Sequence, residues 1–220
     1  MWIRFPTNAG SNFVFMLVST WFGCFSDVML ESSAIIILYL AMLGASNTLI
    51  ILSTSLVGIS SMFLLIPASG IVDKFGSKRV VAVSSLIACF SYLLMTFAPF
   101  MVKEVAPFVV LLGCFTFSIS QPLCTASWYP IIGNILKPSE RSNFIGFLRF
   151  SYYILTGSVF FLLGIFMGAK PPMWFLQIII GITGILALGR YFFIARIALP
   201  EPEHKIYNIT DFHGLGMTLI

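Results

Sequence analysis

Residues 69–79 read SGIVDKFGSKR and separate two long apolar stretches of the chain. Glycine at position 76 permits a tight turn that a β-carbon would hinder. Asp73 ends the first stretch, where its carboxylate can pair with nearby cations or with the positive end of another helix. Three cations would hold the segment at the membrane surface: Lys74, Lys78 and Arg79. The segment therefore predicts a short charged hairpin between two membrane-spanning helices.

The composition on both sides of this hairpin is that of a membrane protein. Of the 220 residues, 59% are apolar and 9% are charged, whereas soluble domains carry about a quarter charged residues. Long apolar runs exceed the ~18 residues that mark a membrane span. Because a span must satisfy its own backbone hydrogen bonds, and because both faces of each run are apolar, we predict helices rather than barrel strands.

The apolar runs predict six spans in one all-α bundle over residues 1–198, followed by a polar cytoplasmic tail over 199–220. The first run is long, since Asp27 and Glu31 are its only charges, and a tilted or extended helix would accommodate it. The predicted spans are about 12–36, 46–69, 79–99, 105–129, 144–168 and 173–196.

Basic residues alternate between rich and poor loops. One side of the membrane would carry Arg4, Lys74, Lys78, Arg79, Lys137, Arg141, Arg196 and Lys205; the other would carry Lys103 and Lys170. The positive-inside rule then predicts cytoplasmic termini and an even number of spans, in a cell (inner) membrane. This distribution accounts for the net charge of +4 without a nucleic-acid partner.

The 69–79 segment resembles the signature loop of the major facilitator superfamily, Asp-[Arg/Lys]-aromatic-Gly-x-[Arg/Lys] on the cytoplasmic side after the second span. The residues that match in register are Asp73, Lys74, Phe75, Gly76 and Lys78, with Ile71 at an aliphatic position. Ser69 stands where the family prefers glycine, and Ser77 replaces a usual arginine. The resemblance covers about residues 12–198 and implies an N-terminal six-helix half built of two three-helix repeats.

A weaker resemblance lies at residues 137–149, which look like the cytoplasmic entry to the family's fifth span. Gly157, Gly164 and Gly168 follow, and spaced small residues usually let helices approach closely. The glycine-proline pattern of the family's antiporters is missing from this span, so antiport is not supported.

The resemblance implies secondary active transport of a small solute by alternating access, with protons as the expected coupling ion. Full transporters of the family pair two halves around a site near mid-membrane, and no second half follows in this sequence, so another half or another copy is an expected partner. The alternative is a truncated or degenerate membrane protein that serves as a partner or scaffold. No enzyme activity and no cofactor are expected, because the sequence has no nucleotide loop, HExxH or Ser/His/Asp set.

Asp27 and Glu31 are the candidates for proton coupling. They lie four residues apart, so they share a helix face, which continues through Cys24 and Thr20. A carboxylate within a span normally points into a bundle or wet cavity and often serves transport. The alternative is that the span ends early and both side chains are solvated at the interface.

The candidates for a substrate cavity are polar or aromatic: Trp21, Gln121, Thr125, Trp128 and Arg149. Gln121, Thr125 and Trp128 share one face of a span that Pro122 interrupts. Such a face is a reasonable wall for a polar solute site. The alternatives are hydroxyls bonded to their own helix, aromatics that pack in the core, and arginines at 149 and 190 that snorkel to the headgroups. The four cysteines fall in apolar runs and are expected to be buried thiols rather than metal ligands.

Overall fold

A computed structural model describes residues 11–31, 34–168 and 171–197, and these ranges are almost wholly helical. The helices are α1 (Ser11–Glu31), α2 (Ala34–Met42), α3 (Asn47–Phe75), α4 (Ser77–Phe97), α5 (Ala106–Ile135), α6 (Pro138–Met167) and α7 (Met173–Ala195). A single 3-10 turn, Ala98–Phe100, follows α4. All of the helices except α2 are long and apolar enough to cross a bilayer. The predicted all-α class with six membrane helices is confirmed.

The long apolar run that predicted the first span is divided between α1 and α2. Four of the nine residues of α2 are buried, which fixes this short helix against the bundle. Its Tyr39 hydroxyl donates a hydrogen bond of 2.8 Å to the carbonyl oxygen of Met95, near the end of α4. Helix α2 therefore packs against the bundle, with contacts to α3 and α7 and to the end of α4.

Helix α4 lies at the centre, between α5 and α7, while α3 packs along α5 and α1 along α7. Two glycines allow the close approach of these helices. A β-carbon added at Gly184 would lie 2.9 Å from Cβ of Tyr92, and one at Gly113 would lie 3.0 Å from the carbonyl oxygen of Ser91. The Tyr92 ring packs edge-on against Phe117 at 5.5 Å between centroids. Helices α4, α5 and α7 therefore approach one another closely at the centre of the bundle.

The glycines of α6 do not serve close packing. A β-carbon added at Gly157 or Gly164 would meet no other atom within 4 Å. The prediction that these residues bring helices together is therefore wrong, and the same holds for Gly168, whose φ of +60° ends α6 in a conformation that favours glycine. Only 6% of the residues in the most apolar part of α6 are buried, against 50% in α4.

The charged hairpin is a single-residue turn between α3 and α4. Gly76 adopts a φ of +85°, so α3 continues through Asp73 to Phe75 and α4 begins at Ser77. The Lys78 ammonium donates a hydrogen bond of 2.7 Å to the carbonyl oxygen of Ile197, beyond the end of α7. The ammonium group supplies a hydrogen-bond donor to a carbonyl oxygen beyond the end of the helix. Its positive charge is also stabilised by the negative end of the helix dipole.

Candidate functional site

A cavity of about 1010 Å³ lies between α1, α2 and α6, with one contribution from α5. The part of its wall formed by α2 and by the C-terminal half of α6 is apolar. The opposite part is polar and comes from α1, α5 and the middle of α6. Its polar lining residues are Thr20, Cys24, Asp27, Gln121, Tyr152, Tyr153 and Thr156.

The Asp27 carboxylate is paired with an arginine from another helix. Nη2 of Arg190, on α7, lies 2.5 Å from Oδ2 of Asp27. The Arg190 side chain is 9% exposed and that of Asp27 is 28% exposed. The carboxylate therefore stands at the cavity wall, while the guanidinium lies behind it in the bundle.

Three helices hold the Arg190 guanidinium in this place. Nη1 donates a hydrogen bond of 3.0 Å to the Cys124 sulfur on α5. On α1, the guanidinium lies directly against Gly23, where any β-carbon would overlap it. The Ser19 hydroxyl adds a contact of 3.4 Å to the Arg190 carbonyl oxygen. An arginine with such partners is fixed by the packing of α1, α5 and α7.

The prediction that Arg190 snorkels to the headgroups is therefore wrong. The side chain turns inward because Gly23 leaves room for it and Asp27 supplies an opposite charge, which together offset part of the cost of burial. The sequence contained a usable signal, since a glycine and an acid four residues apart lie on one face of α1.

Two hydrogen bonds join the polar face of α1 to α6. The Trp21 indole nitrogen and the Ser151 hydroxyl are 3.1 Å apart, and the Cys24 sulfur and the Thr156 hydroxyl are 3.3 Å apart. Trp21 is not among the residues that line the cavity. Its position is that of an anchor for α6 beside the cavity.

The remaining predicted site residues are distributed unevenly. Gln121 lines the cavity and accepts a hydrogen bond of 3.0 Å from the exposed Thr125 hydroxyl. Trp128 packs against a separate apolar cluster near the other end of α5, and Arg149 is exposed on α6. The side chain of Glu31 lies outside the described residues.

Three polar residues of the cavity wall were not predicted: Tyr152, Tyr153 and Thr156 on α6. The two tyrosine rings are 4.3 Å apart between centroids. A pair of adjacent tyrosines within an apolar span was the available signal, because hydroxyls are costly to expose to lipid without partners. Within the described ranges, no three His, Cys, Asp or Glu side chains group closely enough to hold a metal ion.

The six long apolar helices define a multi-pass integral membrane protein, with a solute-sized cavity and an ion pair beside it. The chain belongs to the Major Facilitator Superfamily, whose family model matches residues 17–215. This match confirms the family that residues 69–79 resemble. The superfamily comprises transporters of small solutes rather than enzymes. No curated protein and no solved structure matches the chain.

Proposed function

We propose that this chain is one half of a secondary active transporter that moves a small solute by alternating access, coupled to protons. The observation that carries the proposal is the Asp27 carboxylate, which stands at the cavity wall and is held by an arginine of another helix. Ionisable residues inside spans are costly and commonly mark solute or proton paths.

The ion pair offers a physical link between proton binding and helix packing. Protonation of Asp27 would remove the charge that holds Arg190, and an unpaired buried charge costs about 3–5 kcal/mol. Arg190 would then need another acceptor, and any movement toward one changes the contact between α1 and α7. A proton could thus bias the bundle between two arrangements. Glu31, at the end of α1, is the second candidate carrier.

The exposed apolar faces of two helices support the expected partner. Only 17% of the residues in the most apolar part of α3 are buried, and α6 is lower still. We propose that a second six-helix half, or another copy of this chain, covers part of these faces and closes the solute path. Exposed side chains on them include Met62, Phe63, Ile66, Phe161, Ile165 and Phe166.

The proposed orientation has both chain termini and the 74–79 hairpin in the cytoplasm, with residue 103 outside, in a cell membrane. Ser77→Cys on a cysteine-free background provides a test, because impermeant thiol reagents label only the accessible side. Labelling of residue 77 from outside intact cells would contradict this orientation.

Uptake by proteoliposomes tests the transport proposal. Four labelled solute classes would be offered, a sugar, an amino acid, a dicarboxylate and a quaternary ammonium ion, with an inward proton gradient, with an outward proton gradient and with the gradient collapsed. We expect gradient-dependent uptake of at least one class. Asp27→Asn should abolish this accumulation but retain counterflow when the solute is supplied at saturating concentration, whereas Glu104→Gln, an exposed acid before α5, should change neither. Absence of uptake in every arm, by a preparation shown to be dimeric or supplied with its second half, would favour the alternative role as a scaffold or partner.

A further inference from the structure

The charge that the cavity presents to a solute is negative. Among the described residues that line it, Asp27 is the charged side chain, and the others are aliphatic, aromatic, hydroxyl, thiol or amide. Arg190 is not part of the wall. Although the pair is neutral as a whole, its carboxylate faces the cavity and its guanidinium faces the bundle.

The geometry of the pair keeps the guanidinium from approaching a solute. Arg190 uses Nη2 for Oδ2 of Asp27 and Nη1 for Cys124, so two of its nitrogens are directed at α1 and α5. The pair acts on a solute charge as a dipole whose negative end, the carboxylate, is nearer the cavity. An anion would be repelled at this wall, whereas a cation would gain a charge-assisted contact.

The rest of the lining fits an apolar molecule with a cationic group. The rings of Tyr152 and Tyr153 line the same cavity as Asp27, and aromatic faces attract organic cations. Leu38 of α2 and the α6 residues Phe160 and Leu163 line the apolar part of the same cavity. The volume of about 1010 Å³ suits a drug-sized solute rather than a single ion.

We propose that this cavity binds an amphipathic organic cation, with its charged group at Asp27 and its apolar body between α2 and α6. The inference rests on the proposed function in taking the cavity as the solute site. It adds the class of solute, and it makes Asp27 a specificity-determining residue whose carboxylate selects for positive charge.

Binding of a matched pair of hydrophobic ions tests this inference. Tetraphenylphosphonium and tetraphenylborate have nearly the same shape and opposite charge. Each would be measured separately against the purified chain in nanodiscs, with empty nanodiscs subtracted. We expect saturable binding of tetraphenylphosphonium and none of tetraphenylborate. Equal saturable binding of the two ions, or no saturable binding of the cation, would overturn the proposal.

Three variants locate the binding. Asp27→Asn should weaken tetraphenylphosphonium binding about tenfold or more, the value of a lost hydrogen bond to a charged group. Asp27→Asn combined with Arg190→Gln removes both charges, leaves no buried ion unpaired, and should show the same loss. Glu104→Gln removes an exposed acid away from the cavity and should leave binding unchanged. Undiminished binding by the folded double variant would exclude Asp27 as the recognition group.

The two proposals fail in different ways. Binding to nanodiscs needs no gradient and no movement of solute, so it does not depend on transport. A chain that accumulates a neutral or anionic solute and ignores tetraphenylphosphonium contradicts the solute class alone. A chain that binds the cation through Asp27 but moves no solute contradicts the transport proposal alone.

Discussion

Two helix interfaces that would be equivalent in a bundle of two three-helix repeats are packed very differently. In two three-helix repeats, α3 against α5 corresponds to α6 against α1. Helix α3 contacts α5 along much of its length, whereas α6 contacts α1 at few positions, among them Trp21–Ser151 and Cys24–Thr156. The cavity occupies the space that remains at the second interface. The α3–α5 interface is therefore closely packed, whereas the α1–α6 interface leaves the space of the cavity.

The difference follows from the side chains on the two helices. The buried residues of α3 are small or β-branched: Ser53, Val57, Ser60, Ala68 and Val72. Small residues at such an interface let backbones approach and replace lipid contacts with protein contacts. The buried residues of α6 are Phe144, Leu148 and Thr156, all in its first two thirds, and beyond them the helix turns bulky Phe160 toward the cavity. The fully buried residues of α6 therefore lie in its first two thirds, and the last third is only partly buried.

The largest expected effect on stability concerns the ion pair. It lies between the side of α1 that packs against α7 and the side that borders the cavity. Asp27→Asn would leave Arg190 charged and nearly buried, so we expect a loss of about 3–5 kcal/mol in the free energy of unfolding. Asp27→Asn combined with Arg190→Gln should recover most of this loss, because no buried charge is left unpaired. Thermal unfolding in one detergent would compare the single and double variants with the wild-type chain.

A double variant as unstable as Asp27→Asn would contradict this account. It would mean that the carboxylate stabilises the bundle through contacts other than Arg190. Glu104→Gln controls for the loss of an acid at an exposed position.

A smaller effect on stability is expected from substitution of two glycines, one in the packed centre of the bundle and one beside the cavity. Gly184→Val would drive a side chain against Tyr92 Cβ at 2.9 Å and the Cys89 carbonyl oxygen at 3.4 Å. Such overpacking costs about 1–3 kcal/mol. A β-carbon added at Gly157, on the cavity side of α6, meets no atom within 4 Å, so Gly157→Val should leave thermal stability unchanged. Equal loss of thermal stability in both variants would show that the space between α1 and α6 is filled by packed side chains.

These features differ in how far the sequence could predict them. Six spans and the family followed from residues 69–79 and the apolar runs, because length, polarity and a charged turn are local properties. The Asp27–Arg190 pair joins residues 163 positions apart, so it depends on how α1 and α7 pack. Likewise, Gly157 and Gly184 each follow a threonine within an apolar span. Only their neighbours in the folded bundle distinguish the open position from the close contact. Hydropathy also gave no boundary between α1 and α2, since both are apolar.

The smallest expected effect concerns the start of α6, where Arg141 ties this loosely packed helix to the end of α5. Its Nε donates to the Leu136 carbonyl oxygen at 3.0 Å, and its Nη2 donates to that of Gly133 at 2.8 Å. Water can replace part of these bonds at a helix end, so Arg141→Met should cost about 1 kcal/mol locally. Because α6 has few other contacts, the loss should appear as about fivefold faster amide hydrogen exchange in its first turns, with α3 unchanged.

Lys137→Met is the matched control for Arg141→Met, since Lys137 is an exposed cation just before α6. Its loss should leave exchange in α6 at the wild-type rate. If Arg141→Met also leaves that rate unchanged, the anchor at the start of α6 is not what holds it. Contacts farther along α6, such as Cys24–Thr156, would then have to stabilise its position. The α1–α6 interface would in that case be more stable than its few contacts indicate.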